Sequence, residues 1–247
     1  MLRYYIHWLA VLSFFGSACD GRAQSAPRKT IAFYSEKHQL LSSSQGASYA
    51  VETEFVDSLR AIETVYWAPN KVREVAHFSN IRRRLREGET IVYHNNGGVK
   101  RQEQYRYGFR QGDGFTYYPS GKLRSQDRFE GYKRVSQACF DEEGNTLDCD
   151  TLAKRTLCPA LLPVATTSAY VRYPAKALKA NIEGVVKVKF VISRFGQLVD
   201  AWVLESPSPL LSIEAIAAVR RVKWGIFQCY CDPMDEAFII PFTFNIE

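Results

Sequence analysis

The chain has 247 residues, 46% of them hydrophobic and 13% aromatic, enough to bury one sizeable core or two modest ones. Charged residues make up 23%, which excludes intrinsic disorder, a collagen-like repeat and a polytopic membrane protein. Lys and Arg total 32 against 26 acids, a net charge of +6, and so small an excess implies no nucleic acid unless it is gathered in one patch.

Residues 4–18, YYIHWLAVLSFFGSA, are apolar after a single Arg3, and at about 1.5 Å per helical residue they fall short of a bilayer span. Gly21-Arg22-Ala23 then fits the small-x-small rule, so residues 1–23 are expected to be a signal peptide cleaved after Ala23. The alternatives are an uncleaved anchor and a lipid on Cys19, against which Gly16 stands where a larger aliphatic residue is usual. Export into an oxidising compartment pairs thiols. Cys139 and Cys149 lie symmetrically about Gly144 in a turn sequence, so a hairpin would face their Cβ atoms and a disulfide is predicted. Cys158, Cys229 and Cys231 are left with at most one bond between them, and a bridge from Cys158 to either of the others is preferred to a metal site.

Residues 24–59 contain two alternating stretches, Thr30 to Ser35 and Ser48 to Asp57, that read as strands opening a sheet. From 60 to 150 an aromatic-x-x-x-Gly unit recurs as Tyr93 to Gly97, Tyr117 to Gly121 and Phe140 to Gly144, spaced 24 and then 23 residues apart. A degenerate copy, Tyr66 to Asn70, precedes them. Each unit reads strand, glycine turn, strand, and since one such hairpin cannot bury its own apolar face, neighbours must join into an elongated antiparallel sheet. The repeat resembles the bacterial variant form of the MORN family, which implies a scaffold and contact surface without catalytic residues. Residues 60–134 hold 16 Lys and Arg against 8 acids. The densest run, Arg82, Arg83, Arg84 and Arg86, is expected either to meet an anionic envelope surface or to be a solvated outer face that discourages edge aggregation.

Residues 151–169, with Pro159 and Pro163, read as a linker. Beyond it Tyr173-Pro174 opens a short helix, and Val186, Val188, Phe190 and Ile192 alternate with Lys187 and Lys189 in a strand expected to be covered on one face. Phe195-Gly196-Gln197 is a hairpin turn, a second strand runs from Leu198 to Glu205, and Ser208-Pro209 caps a helix buried along Leu211, Ala215, Ala218 and Val222. In the last strand Phe238, Ile240, Phe242, Phe244 and Ile246 share the core side. Pro241, which has no N–H to give a ladder, places that strand at a sheet edge.

Residues 165–247, with YPAKALKANIEGVVKVKFVISRFGQLVDAWVLES, the Pro-rich break, the Ala-Ile-Ala-Ala-Val-Arg-Arg helix and the final PFTF strand, resemble the TonB C-terminal domain. The resemblance implies a periplasmic domain, bounded here at 170–247, of two helices on a three-stranded antiparallel sheet. It further implies that the domain grips a peptide from an outer-membrane TonB-dependent receptor by strand addition, with Ala237, Phe238, Ile239, Ile240, Pro241, Phe242, Thr243 and Phe244 as contacts and Arg172 near the bound peptide. Family members that transduce energy use a membrane helix and a long Pro-rich linker. A chain cleaved after Ala23 is therefore expected to bind like the family without passing on force.

His7, His38, His77 and His94 are scattered away from metal spacing, and neither a nucleophile elbow nor a phosphate loop is present, so no enzyme, cofactor or metal is expected. The fold class expected is α+β: a repetitive antiparallel hairpin sheet followed by the TonB-like module. The expected function is periplasmic peptide binding in TonB-dependent transport. The alternative is an envelope scaffold whose repeat array is the binding surface and whose C-terminal module only anchors or forms a homodimer.

Overall fold

The computed structural model describes residues 28–68, 71–131, 133–150, 170–225, 228–229 and 232–246. The leader, the linker, Asn70 of the degenerate repeat, Cys158 and Cys231 lie outside them. Strands β1 (Arg28–Tyr34), β2 (Leu40–Leu41), β3 (Tyr49–Phe55), β4 (Ala61–Ala68), β5 (Lys71–Asn80) and β6 (Leu85–Tyr93) are followed by β7 (Val99–Arg106), β8 (Phe109–Arg110), β9 (Gly112–Tyr117), β10 (Leu123–Glu130), β11 (Lys133–Phe140) and β12 (Thr146–Leu147). All twelve form one antiparallel sheet in the order β12-β11-β10-β9-β7-β6-β5-β4-β3-β1-β2, with β8 paired to β7. The strands of residues 24–59 thus open the same sheet as the repeats, Ala50 standing opposite Tyr66 across β3 and β4.

The three clear repeats are three copies of one turn. His94 N–H donates to Gly98 O at 2.8 Å and Gly97 N–H back to His94 O at 2.9 Å; Tyr118 with Lys122 and Gly121, and Asp141 with Asn145 and Gly144, repeat the pair. Gly97, Gly121 and Gly144 have φ of 89°, 84° and 90°, a left-handed backbone that a Cβ would strain. Neighbouring copies are tied alike: His94 Nε2 donates to Tyr117 O, and Tyr118 Oη to Phe140 O, each at 2.9 Å. Cys139 and Cys149 are joined, their Cα atoms 5.3 Å apart, closing the last hairpin as its turn sequence requires.

The C-terminal part is α1 (Ala175–Lys179), β13 (Gly184–Ile192), β14 (Leu198–Glu205), α2 (Pro209–Arg221), β15 (Gln228–Cys229), β16 (Asp232–Pro233) and β17 (Glu236–Phe244). Pro174 occupies the position before α1, and the Ser208 hydroxyl accepts Leu210 N–H at the start of α2. The sheet order is β14-β13-β17, all antiparallel, while β15 pairs with β16. Leu211, Ala215, Ala218 and Val219 of α2 pack on Val186, Val188, Phe190, Ile240, Phe242 and Phe244, and Trp224 closes the end of this core, its ring centroid 4.6 Å from that of Phe190.

The other face of β13 departs from expectation. Val185 and Lys187 are exposed, but Lys189 and Val191 are buried, because the large sheet covers that half of the small one. Phe195, in the β13–β14 turn, stacks on Tyr34 of β1 at 5.4 Å, and Tyr34 stacks on Tyr49 of β3 at 5.1 Å. The described residues therefore form three layers: large sheet, small sheet, helices.

Candidate functional site

β17 is bonded to β13 along one side only; no described strand pairs with its other side. The backbone parity of the strand decides what that open side offers. Ser193 exchanges its N–H and C=O with the β13–β14 turn, so along β13 the even residues, Val186 to Ile192, face β17. Their partners are Phe242, Ile240, Phe238 and Glu236. Ala237, Ile239 and Thr243 consequently turn N–H and C=O away from the sheet, and Pro241, opposite Lys187, sits where its missing N–H takes nothing from the ladder. Cys229 lies in β15, whose partner is β16, so this loop strand does not pair with the edge of β17.

The open side is flanked by two hollows. One, of about 490 Å³, is lined by Val171, Tyr173 and residues 241–245. The other, of about 170 Å³, is lined by Phe109, Arg110, Phe129 and residues 236–239. Arg172 is exposed between the two lining residues Val171 and Tyr173, and its own N–H donates to Glu214 Oε1 at 2.9 Å.

Beside this edge runs a seam of buried charge that joins the sheets. Arg84, in the β5–β6 turn, grips both oxygens of Glu63 at 2.5 and 2.7 Å and donates to Asp235 Oδ2 at 2.6 Å. Arg194 donates from its backbone and guanidinium to Asp235 at 3.0 and 3.3 Å and reaches Glu74 at 3.4 Å, which also accepts from Arg86 at 2.6 Å. Arg110 bridges Glu103 at 2.8 Å and Glu236 at 3.0 Å, and Lys100 meets Asp232 at 2.7 Å. Burial alone would raise the Asp235 carboxyl, but Arg84 and Arg194 outweigh it and hold the group well below the ordinary range. Glu74, where burial is likewise opposed by Arg194 and Arg86, sits at about 2. Glu236 goes the other way: burial lifts it further than Arg110 lowers it.

Lys189, 5% exposed, donates Nζ to Tyr107 O and lies 4.0 Å from the Phe109 ring centroid. Burial lowers it to about 8. Arg84 and Tyr107 both carry left-handed backbone, φ 54° and 52°, in the two turns that reach the small sheet. At Gly108 the contact is close enough that a Cβ would stand 3.4 Å from that of Ala237 and 3.0 Å from Leu85 Cδ2.

The expected anionic-surface patch is thereby corrected. Arg86 is 1% exposed and Arg84 is spent on Glu63 and Asp235, so neither is free to meet an envelope surface. Arg83 pairs with Asp200 at 2.9 Å and lies over Trp202, while Arg82 alone of the four is exposed without such a contact among the described interactions. The residues that sequence reasoning missed are Glu63, Glu74, Glu103, Lys189, Arg194, Asp232, Asp235 and Glu236. Part of their signal was present: Glu63 alternates with Ala61 and Val65, Glu103 with Arg101 and Tyr105, and three acids, Asp232, Asp235 and Glu236, cluster ahead of Ala237.

No curated protein and no solved structure matches the chain. The edge strand, its flanking hollow at Val171 and Tyr173, and the helices behind it all fall within residues 169–246, and those residues match the family described as Gram-negative bacterial TonB protein C-terminal.

Proposed function

We propose that this chain is a periplasmic binding protein of TonB-dependent transport, without catalytic chemistry of its own, that takes an extended peptide from an outer-membrane receptor onto β17. The observation supporting this reading is that, among the described strands, β17 pairs on one side only, within the stretch that matches the family. A peptide laid beside Ala237–Phe244 would use main-chain bonds for grip, with little demand on its own sequence. Arg172 is exposed between Val171 and Tyr173, two residues that line the hollow of about 490 Å³, and in this reading it meets a polar or acidic end of the peptide. The repetitive sheet, of MORN-like pattern, is the scaffold that holds this edge in place. No helix among the described residues is long and apolar enough to cross a membrane.

The test is calorimetric titration of the full chain with synthetic peptides copied from the periplasm-facing N-terminal segments of outer-membrane receptors. Binding is expected in the wild type and lost in Ile239→Pro and Thr243→Pro, which each remove an outward N–H without touching the ladder to β13. Ile213→Ser, on the exposed face of α2, is expected to bind as wild type. Undiminished binding by both proline variants would contradict the reading.

The scaffold alternative has its own observation, a hollow of about 600 Å³ on the large sheet lined by residues that include His77, Glu89, Gln104 and Arg106. Binding that survives both proline changes and is lost in Gln104→Ala with Arg106→Ala would favour it.

A further inference from the structure

A strand added to a sheet edge points its side chains alternately to the two faces of that sheet. On one face of the small sheet stand the helices; on the other, over the first half of β17, stands the large sheet. Phe129 projects from β10 with its ring against Gly114, where a Cβ would lie 3.5 Å from Cε2, and the Arg110 guanidinium lies 5.5 Å from its centroid. The Lys189 ammonium lies 4.0 Å from the Phe109 ring centroid. Between these two rings and residues 236–239 is the hollow of about 170 Å³.

We infer that this hollow is a side-chain pocket for the added peptide, taking one aliphatic or aromatic residue from the position beside Ala237–Ile239. The inference rests on the strand-addition reading and adds to it a specificity determinant from outside the matched stretch. Two aromatic rings form the wall. The charge of Arg110, which also lines the hollow, is already matched by Glu103 and Glu236, so nothing there calls for an anionic side chain. An acidic side chain would lose its hydration beside Glu236, and a lysine would meet the Arg110 cation. An aliphatic side chain meets neither cost. The volume accommodates one leucine or phenylalanine side chain, and the neighbouring peptide residues, pointing to the helix layer or lying beside exposed Pro241 and Thr243, carry no such restriction.

The experiment uses the full chain and acetylated octapeptides cut from the receptor segment that binds in the titration above, with each position in turn changed to Ala, Leu, Phe or Asp. One position is expected to prefer Leu over Ala and Asp by about tenfold, the scale set by burying a few methyl and methylene groups. Phe129→Trp, which fills the hollow, is expected to erase that preference at that position alone, and Phe129→Ala, which removes one of its two aromatic walls, to weaken it there. If binding stays sensitive to Ile239→Pro while neither Phe129 variant alters any positional preference, the pocket is wrong and strand addition stands. If binding ignores Ile239→Pro and Thr243→Pro, both fall together.

Discussion

Arg84 and Asp235 meet at 2.6 Å across 151 positions of sequence, a turn of the large sheet donating to the carboxylate that stands immediately before the edge strand. The same Oδ2 receives Arg194 at 3.3 Å, so the start of β17 is fixed to its own domain and to the large sheet through one atom. The open edge is therefore a property of the two sheets together: one supplies the strand, the other sets where its first half lies.

Such a pair is costly to break from one side only. Asp235→Ala leaves Arg84 and Arg194 short of an acceptor in the interior and is expected to lower the unfolding free energy by about 3–5 kcal/mol. Arg84→Met combined with Asp235→Leu is expected to lose less than the sum of its single changes, because the contact between the two is lost once and not twice, while Glu63 and Arg194 each keep the cost of one missing partner. Urea unfolding of the four proteins in a double-mutant cycle measures the difference.

Acid should loosen the same seam. The folded carboxyls of Glu74 and Asp235 lie below their unfolded values of 4.5 and 3.8, so the folded state binds fewer protons and their contribution is complete above about pH 4.5. It drains away as the pH falls toward 2, by about 2–4 kcal/mol, offset in part by Glu236, whose raised carboxyl acts with the opposite sign. Unfolding free energies between pH 7 and 2.5 are expected to fall, and to fall less steeply in Asp235→Asn.

Lys189 gives a second, alkaline signature. Its folded value near 8 lies below the unfolded 10.5, so the unfolded chain holds the extra proton between them and stability rises with pH across that window. A rise on the order of 2 kcal/mol from pH 8 to 10.5 is expected, and its absence in Lys189→Met would assign it to this amine.

The Cys139–Cys149 bond closes a ten-residue separation at the end of the repeat array. Chain-entropy arguments put its contribution at about 2–3 kcal/mol. Reductant is expected to lower the Tm of the wild type by about 4–10 °C, and the shift is expected to shrink in Cys139→Ser with Cys149→Ser.

Much of this architecture was legible in the residues. Glycine at fixed spacing demanded left-handed turns, Pro241 demanded an edge, and alternating Val and Phe fixed the core face of the small sheet; each constraint is local and acts within a few residues. What escaped was the meeting of the two sheets. Alternation says which residues share a face but not what covers it, so Arg84 and Arg86 read as solvated and Lys189 as outward. A polar strand face turned to water and one turned to a complementary set of charges have the same pattern along the chain. Only the long-range register, which brings Asp235 to Arg84 and Phe195 to Tyr34, distinguishes them.

Amide exchange at Ile239 and Thr243, followed by NMR in the full chain with and without receptor peptide, tests the open edge most directly. Both N–H groups are expected to exchange fast in the free protein, beside protected Ile240 and Phe242, and to slow on adding peptide. Slow exchange at both positions before any peptide is added would mean that the rim is already occupied, and the account of β17 as a landing strip would be wrong.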